Sequence, residues 1–295
     1  MGREERIKVF ENTRYMYETD EDLKNAVNES RQCQMIVPEN NDENTEEVVT
    51  MGEVLTDDIN LLNELFPNEI VVSRKRTLEA AMPYVKKGYR VAVHNFASAT
   101  NPGGGVERGA GAQEECLCRC STLYACLNTK PMLDGFYLPH RNAHDPINNG
   151  DIIYTPDVVV FKTDTDLPEM MPKDDWYKVD VITCAAPNLR DNPSNGYNPG
   201  NGDSKASISD EELEQIHIKR LNGICNVAEA EGCDVLILGA FGCGAFCNSP
   251  EVAAAAAKAV VEECGRRFKV IEFAVYCRPD DDTNYRVFEK VLGKR

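Results

Sequence analysis

Residues 103 to 115 read Gly103-Gly104-Gly105-Val-Glu-Arg-Gly109-Ala-Gly111-Ala-Gln113-Glu114-Glu115, a glycine run that ends in paired carboxylates. Glycine lets a backbone approach a ligand with no side chain in the way. A glycine-rich loop feeding a helix start points free N–H groups at whatever sits there, usually an anion. Two carboxylates at that spot oppose the local electrostatics, and such conflicts between local rules concentrate at functional sites. Adjacent residues diverge by about 100° around a helix. Glu114 and Glu115 therefore cannot flank one bond from opposite faces, as glycosidase carboxylates ~5–9.5 Å apart do. One would reach the reacting centre while the other binds or orients. Acidic residues also favour a first helical turn for ordinary dipole reasons, but the glycines before the pair and Gln113 beside it weigh against that as the whole explanation.

A second glycine loop, Gly239-Ala-Phe-Gly242-Cys243-Gly244-Ala245-Phe246-Cys-Asn-Ser-Pro250, lies between a strand pattern at 235–238 and a helix pattern at 250–264. In open α/β sheets, ligands bind beyond the carboxyl ends of the strands. Two strand–glycine loop–helix units can thus converge on one anionic ligand, such as a diphosphate or phosphoribosyl group. Neither loop continues into the Gly-Lys-Ser/Thr of a nucleotide triphosphatase, and the first lacks dinucleotide-fingerprint spacing.

The elements that must carry these loops are legible as apolar runs. Val91–Val93, Val158–Phe161, Val179–Ile182, Val235–Leu238 and Val270–Val275 have strand length and β-branched content. The last two lack polar alternation, as strands covered on both faces do. Helical patterns fill 112–127, 210–230, 250–264 and 284–292, with Ser209 and Pro250 as start signals. Alternating strands and helices imply a three-layer α/β/α sandwich around a mixed, mostly parallel sheet. Residues 1–85 read as helices and loops, a helical extension packed on a core domain of residues 86–295. Helices are expected at 20–35 and from Thr77 to Tyr84, and loops at 38–58 and, long and exposed, at 187–207.

The net charge of −17 argues against broad binding of a nucleic-acid backbone, so direct DNA binding is not expected. Residues 39–58 are rich in Asp and Glu and carry no Lys or Arg, which suits a solvated loop. No apolar run is long enough to span a membrane, and the polar start lacks a signal core. The expected setting is intracellular, cytoplasmic or, in a eukaryote, nuclear. The twelve cysteines sit largely in apolar runs and read as reduced structural thiols. Cys116, Cys118 and Cys120 do not converge on a helix, so neither a metal nor another cofactor is expected. Cys243 has no base nearby in sequence to make it a nucleophile. His140 and His144 are bracketed by Pro139 and Pro146 and suit structural roles.

The pattern Gly-Gly-Gly, seven residues, Gln-Glu-Glu resembles the signature of poly(ADP-ribose) glycohydrolases. The longer string Asn95-Phe-Ala-Ser-Ala-Thr-Asn101-Pro-Gly-Gly-Gly-Val, the stretch Gly239 to Phe246 and the N-terminal Glu11-Asn-Thr-Arg14 resemble the microbial type of that family. The resemblance spans nearly the whole chain. It implies a macrodomain-like fold with an N-terminal helical extension, and hydrolysis of the ribose–ribose bond in poly(ADP-ribose), mainly from the chain end. It also implies poly(ADP-ribose) or ADP-ribosylated proteins as partners and ADP-ribose as product. On this resemblance Glu115 is the catalytic acid and Glu114 holds ribose hydroxyls, with Gln113 beside them in the substrate site. Asn101 and Gly103 to Gly105 meet the distal ribose. Gly239, Gly242, Cys243, Gly244 and Ala245 surround the diphosphate, and Phe246 packs on the distal ribose. Tyr276, Asn284 and Tyr285 lie where macrodomains often hold the base. Two alternatives stay open: a hydrolase of mono-ADP-ribosylated acceptors, and a non-catalytic ADP-ribose reader.

Overall fold

The structure is a computed structural model and describes residues 1–39, 69–195 and 199–293. The acidic stretch at 39–58 therefore lies almost wholly outside the described residues. Seven strands form one sheet in the order β1-β4-β5-β3-β6-β7-β2. They are β1 (Met35–Val37), β2 (Glu69–Ser73), β3 (Val91–Phe96), β4 (Ile152–Val160), β5 (Tyr177–Cys184), β6 (Val235–Leu238) and β7 (Val270–Ala274). β5, β3, β6, β7 and β2 run parallel, while β4 is antiparallel to both β5 and β1. The expected mixed, mostly parallel sheet is present.

Side-chain alternation explains why both faces are covered. Successive strand residues point to opposite faces, and here both sets are apolar. Val91, Val93, Val179, Val181, Val235 and Ile237 enter one core, with residues of α1 (Arg3–Thr19), α2 (Glu21–Cys33), α3 (Thr77–Lys86), α4 (Gln113–Cys120) and α5 (Leu123–Leu127). Ala92, Ile182, Leu236, Leu238, Ile271 and Phe273 enter the other, against α8 (Asp210–Ala230), α9 (Pro250–Cys264) and α10 (Thr283–Leu292). Between α5 and β4 the chain adds α6 (Lys130–Met132), a π-turn (Leu133–Tyr137) and α7 (Leu138–Ala143). The start signals act as read. Ser209 accepts the Glu212 N–H at 3.1 Å while Glu212 returns a bond to the Ser209 N–H at 2.9 Å. Ser249 accepts the Val252 N–H, with Pro250 in the first turn of α9.

Three expectations need correction. Residues 1–85 are not helix and loop alone, because β1 and β2 close the two edges of the sheet. The helix pattern at 112–127 breaks into α4 and α5. At the break the Ser121 hydroxyl donates to the Leu117 carbonyl and accepts the Leu123 N–H, and the Thr122 N–H bonds the Val159 carbonyl. Hydroxyl side chains compete in this way with helix continuation. The segment at 187–207 is not exposed throughout. Asn188 and Asn201 are fully buried, and the Asn188 amide donates to Asn201 Oδ1 at 2.6 Å. Asn201 in turn donates to Asn148 Oδ1 at 2.7 Å, which ties the segment to the approach to β4.

The loops after β3, β5 and β6 share the carboxyl edge of the sheet, and the lead-in to antiparallel β4 arrives there too. Arg220 of α8, buried, binds these pieces together. Its guanidinium donates to the carbonyls of Ala185, Ile147 and Asn148 at 2.9–3.0 Å. Arg220→Ala leaves those carbonyls without this donor, and a buried unsatisfied group costs ~1–3 kcal/mol. Chemical denaturation should show a loss of about 3 kcal/mol or more, with the transition still cooperative.

Candidate active site

α4 begins directly after the first glycine loop, so Gln113, Glu114 and Glu115 occupy its first turn. Gln113 acts as a bracket. Its amide oxygen accepts the Phe96 N–H at 2.9 Å, and its nitrogen donates to the His94 carbonyl at 2.7 Å and to Thr77 Oγ1 at 3.0 Å. The helix start is thereby fixed to the end of β3 and to α3.

The two carboxylates are both buried yet differently partnered. Glu114 Oε2 accepts the Ser98 N–H at 2.8 Å, and Oε1 accepts from Asn95 Nδ2 at 3.3 Å. Glu115 Oε1 accepts the Gly105 N–H at 2.8 Å. Its second oxygen, Oε2, is buried with no protein partner. Although the two residues leave the helix in different directions, their carboxyl groups converge beneath Gly104. A Cβ added to Gly104 would lie 2.5 Å from Glu115 Oε1 and 3.1 Å from Glu114 Oε2, and the residue has φ +58°. Both the close approach and the left-handed backbone require glycine there.

Burial first, and the charge of Glu115 second, push the Glu114 carboxyl well above the usual carboxylate range. Bonds from Ser98 and Asn95 oppose the shift without cancelling it. A proton on Glu114 is thereby favoured.

Asn101 is held within the same loop. Its side-chain nitrogen donates to the Gly104 carbonyl, and its backbone N–H bonds Ser98 Oγ at 3.1 Å. Arg141 of α7 donates to the Thr100 carbonyl beside it. The second glycine loop follows β6, the parallel neighbour of β3. Rings lock the two loop bases together: His94 lies 4.4 Å and Phe96 5.9 Å from Phe241, between centroids. A Cβ at Gly239 would meet Phe96 Cζ at 2.9 Å. Gly242 to Phe246 then run out along the edge. Asn248 closes the turn, donating to the Pro187 carbonyl at 2.7 Å and receiving His217 Nε2 at 2.9 Å. Phe246 is half-buried, its carbonyl accepting the Leu189 N–H at 2.9 Å and its ring 5.5 Å from the Arg190 guanidinium. The sheet thus brings Asn101, Gly103 to Gly105, Glu114 and Glu115 to one end of β3. Gly239 to Phe246 lie at the adjoining end of β6.

Burial pushes the Cys243 thiol up to about 12, which keeps it protonated and unsuited to attack. Cys116 lies beside Arg119, and Cys118 packs against Gly103. Tyr276 is exposed, with the Arg76 guanidinium 3.9 Å over its ring, and Tyr285 carries Arg74 at 4.4 Å. Sequence reasoning assigned no role to Ser98, Asn95 or Arg190. Asn95 and Ser98 lie within the string quoted above, but a backbone donor such as the Ser98 N–H leaves no trace in residue type. Arg190 brings positive charge to the second loop and was visible only as one cation in a polar segment.

The α/β sandwich thus sets two buried carboxylates under a glycine loop at its strand ends, where open α/β folds bind ligands. Residues 3–163 match the family model for the microbial-type PARG (poly(ADP-ribose) glycohydrolase) catalytic domain, and the chain belongs to that family. Among solved structures, it is similar to poly(ADP-ribose) glycohydrolase from Thermomonospora curvata bound to the inhibitor ADP-HPD. That match has 27% identity and a TM-score of 0.74 over 98% of this chain and 99% of that one. It is also similar to the Deinococcus radiodurans glycohydrolase in complex with ADP-ribose, with 28% identity and a TM-score of 0.68 over 90% and 96% of the two chains. No curated protein gives a significant match.

The raised Glu114 pKa has a measurable consequence. A carboxyl raised on folding contributes stability below its ordinary value, near 4.5, and loses it as pH climbs through the folded value. Glu114→Gln cannot ionise, so its melting temperature should gain on the parent as pH rises from 5 to 8. A difference that stays constant across that range contradicts the assignment.

Proposed function

We propose that the chain hydrolyses the ribose–ribose O-glycosidic bond of poly(ADP-ribose), working mainly from the chain end and releasing ADP-ribose. The observation that carries the catalytic assignment is the asymmetry of the carboxylate pair. Both oxygens of Glu114 accept protein N–H groups, whereas Glu115 keeps one buried oxygen without a partner. An oxygen so placed is available to a substrate atom.

In this reading Glu115 protonates the departing ribose oxygen as the anomeric carbon–oxygen bond breaks and an oxocarbenium-like centre forms. Water then adds to that carbon and returns its proton to the Glu115 carboxylate. Glu114, already fixed by Ser98 and Asn95, holds ribose hydroxyls with its remaining lone pairs. The Gly103–Gly105 backbone closes over the sugar, with Asn101 at its edge. Gly239, Gly242, Cys243, Gly244 and Ala245 surround the diphosphate, whose charge Arg190 helps to offset, and Phe246 packs against the distal ribose. No helix among the described residues is long and apolar enough to cross a membrane.

Incubation with poly(ADP-ribose) and quantification of released ADP-ribose tests the activity. Release only from mono-modified protein contradicts the polymer assignment, and binding without release marks a reader. Glu115→Gln should lower turnover at least ~100-fold while ADP-ribose affinity stays within a few-fold of the parent. Full turnover in that variant removes Glu115 from the mechanism.

A further inference from the structure

The second half of the first glycine loop faces the N-terminal helix, and its carbonyls have an unusual set of partners. The Arg3 side chain donates to the Arg108 carbonyl at 2.8 Å, Arg6 to the Gly109 carbonyl at 2.6 Å, and Arg119 to the Ala110 carbonyl at 2.7 Å. Three guanidinium groups thus hold three consecutive peptide carbonyls. Two of them come from α1 and the third from α4, the helix that bears Glu115. The contact is close: a Cβ at Gly109, which has φ +70°, would lie 2.5 Å from the Arg3 carbonyl. The Arg6 guanidinium also lies along Gly111, 3.4 Å from where a Cβ would be.

The N–H groups of the same residues turn the other way. Ala110 and Arg108 both donate to the Gly105 carbonyl at 3.0 Å, and Gly105 donates its own N–H to Glu115. Arg6 thus holds the Gly109–Ala110 peptide, whose N–H fixes the Gly105 carbonyl, and the N–H on the other side of Gly105 meets the Glu115 carboxylate. Charge-assisted bonds from arginine are stronger than neutral ones.

We propose that Arg3 and Arg6 are positioning residues for the hydrolytic reaction, making α1 part of the active-site scaffold by fixing the Gly105 N–H against Glu115. The inference rests on Glu115 being the acid, as set out above. α1 does not depend on these arginines to dock. Phe10 and Tyr17 are buried, the Thr13 hydroxyl donates to the Arg119 carbonyl at 2.6 Å, and Lys162 donates to the Val9 carbonyl at 2.9 Å. Loss of Arg6 therefore loosens the loop rather than releasing the helix.

The test compares Arg6→Ala, Arg3→Ala/Arg6→Ala, Arg6→Lys and, as a control on the exposed face of α1, Lys8→Ala, all in the full chain. Misplacement of a reacting group by about 1 Å costs ~100-fold in rate. Arg6→Ala should lower kcat ~10- to 100-fold with KM and ADP-ribose affinity within about threefold, since the diphosphate loop is untouched. The double variant should fall further, Arg6→Lys should recover part of the loss, and Lys8→Ala should match the parent. Amide hydrogen exchange supplies a readout independent of turnover. Exchange in the peptide covering 103–112 should rise in Arg6→Ala while peptides from α8 and α9 keep parental rates. Unchanged kcat in the double variant overturns the proposal. So does a loss of kcat accompanied by an equal loss of ADP-ribose binding and faster exchange throughout. If the parent releases no ADP-ribose, the glycohydrolase reading fails, and the exchange experiment still decides whether the arginines order the loop.

Discussion

Two carboxylates buried side by side are costly, because burial and mutual repulsion both oppose ionisation. The structure accommodates them with a backbone that comes very close. Gly104 passes over both groups, the Gly105 N–H meets Glu115, and the Ser98 N–H meets Glu114. Most other features of the site secure that approach. Gln113 ties the helix start to β3, Arg141 ties the loop to α7, and α1 covers its far side. The helix dipole favours negative charge at this position, whereas burial favours a proton. For Glu114, burial prevails.

In the proposed mechanism, an acidic protein meets an anionic substrate by separating duties. The carboxylates lie beneath the first loop, which the proposal assigns to a neutral sugar. The second loop, after the next parallel strand, presents backbone groups with Arg190 alongside. Because β3 and β6 are neighbours in the sheet, and Phe241 packs on His94 and Phe96, the two loops share one rigid base. This is the arrangement that strand-end binding in open α/β folds makes available.

Much of this was legible in the residues. Apolar runs marked the five central strands, and Ser209 and Pro250 marked helix starts. The misses have physical reasons. β1 and β2 are edge strands whose short apolar runs, Met35-Ile36-Val37 and Ile70-Val71-Val72, lay in a region that read as helix and loop. The break between α4 and α5 depends on Ser121 hydroxyl bonds at the turn and on Thr122 bonds to Val159 of β4, which no local periodicity displays. Asparagines in 187–207 looked solvated, but Asn188 and Asn201 bond each other inside the protein, and side-chain amides are equally suited to both settings. Hardest to foresee was the role of backbone groups. The N–H of Ser98 and the carbonyls of Arg108, Gly109 and Ala110 shape the site, and any residue type supplies them.

The central claim is that the glycine backbone, lying against the carboxylates, sets the position of the acid. Gly104→Ala tests it most directly, since the added methyl would lie 2.5 Å from Glu115 Oε1. The account predicts that kcat for ADP-ribose release drops by ~100-fold or more, with the sheet intact and ADP-ribose still bound. Parental turnover in Gly104→Ala would contradict it.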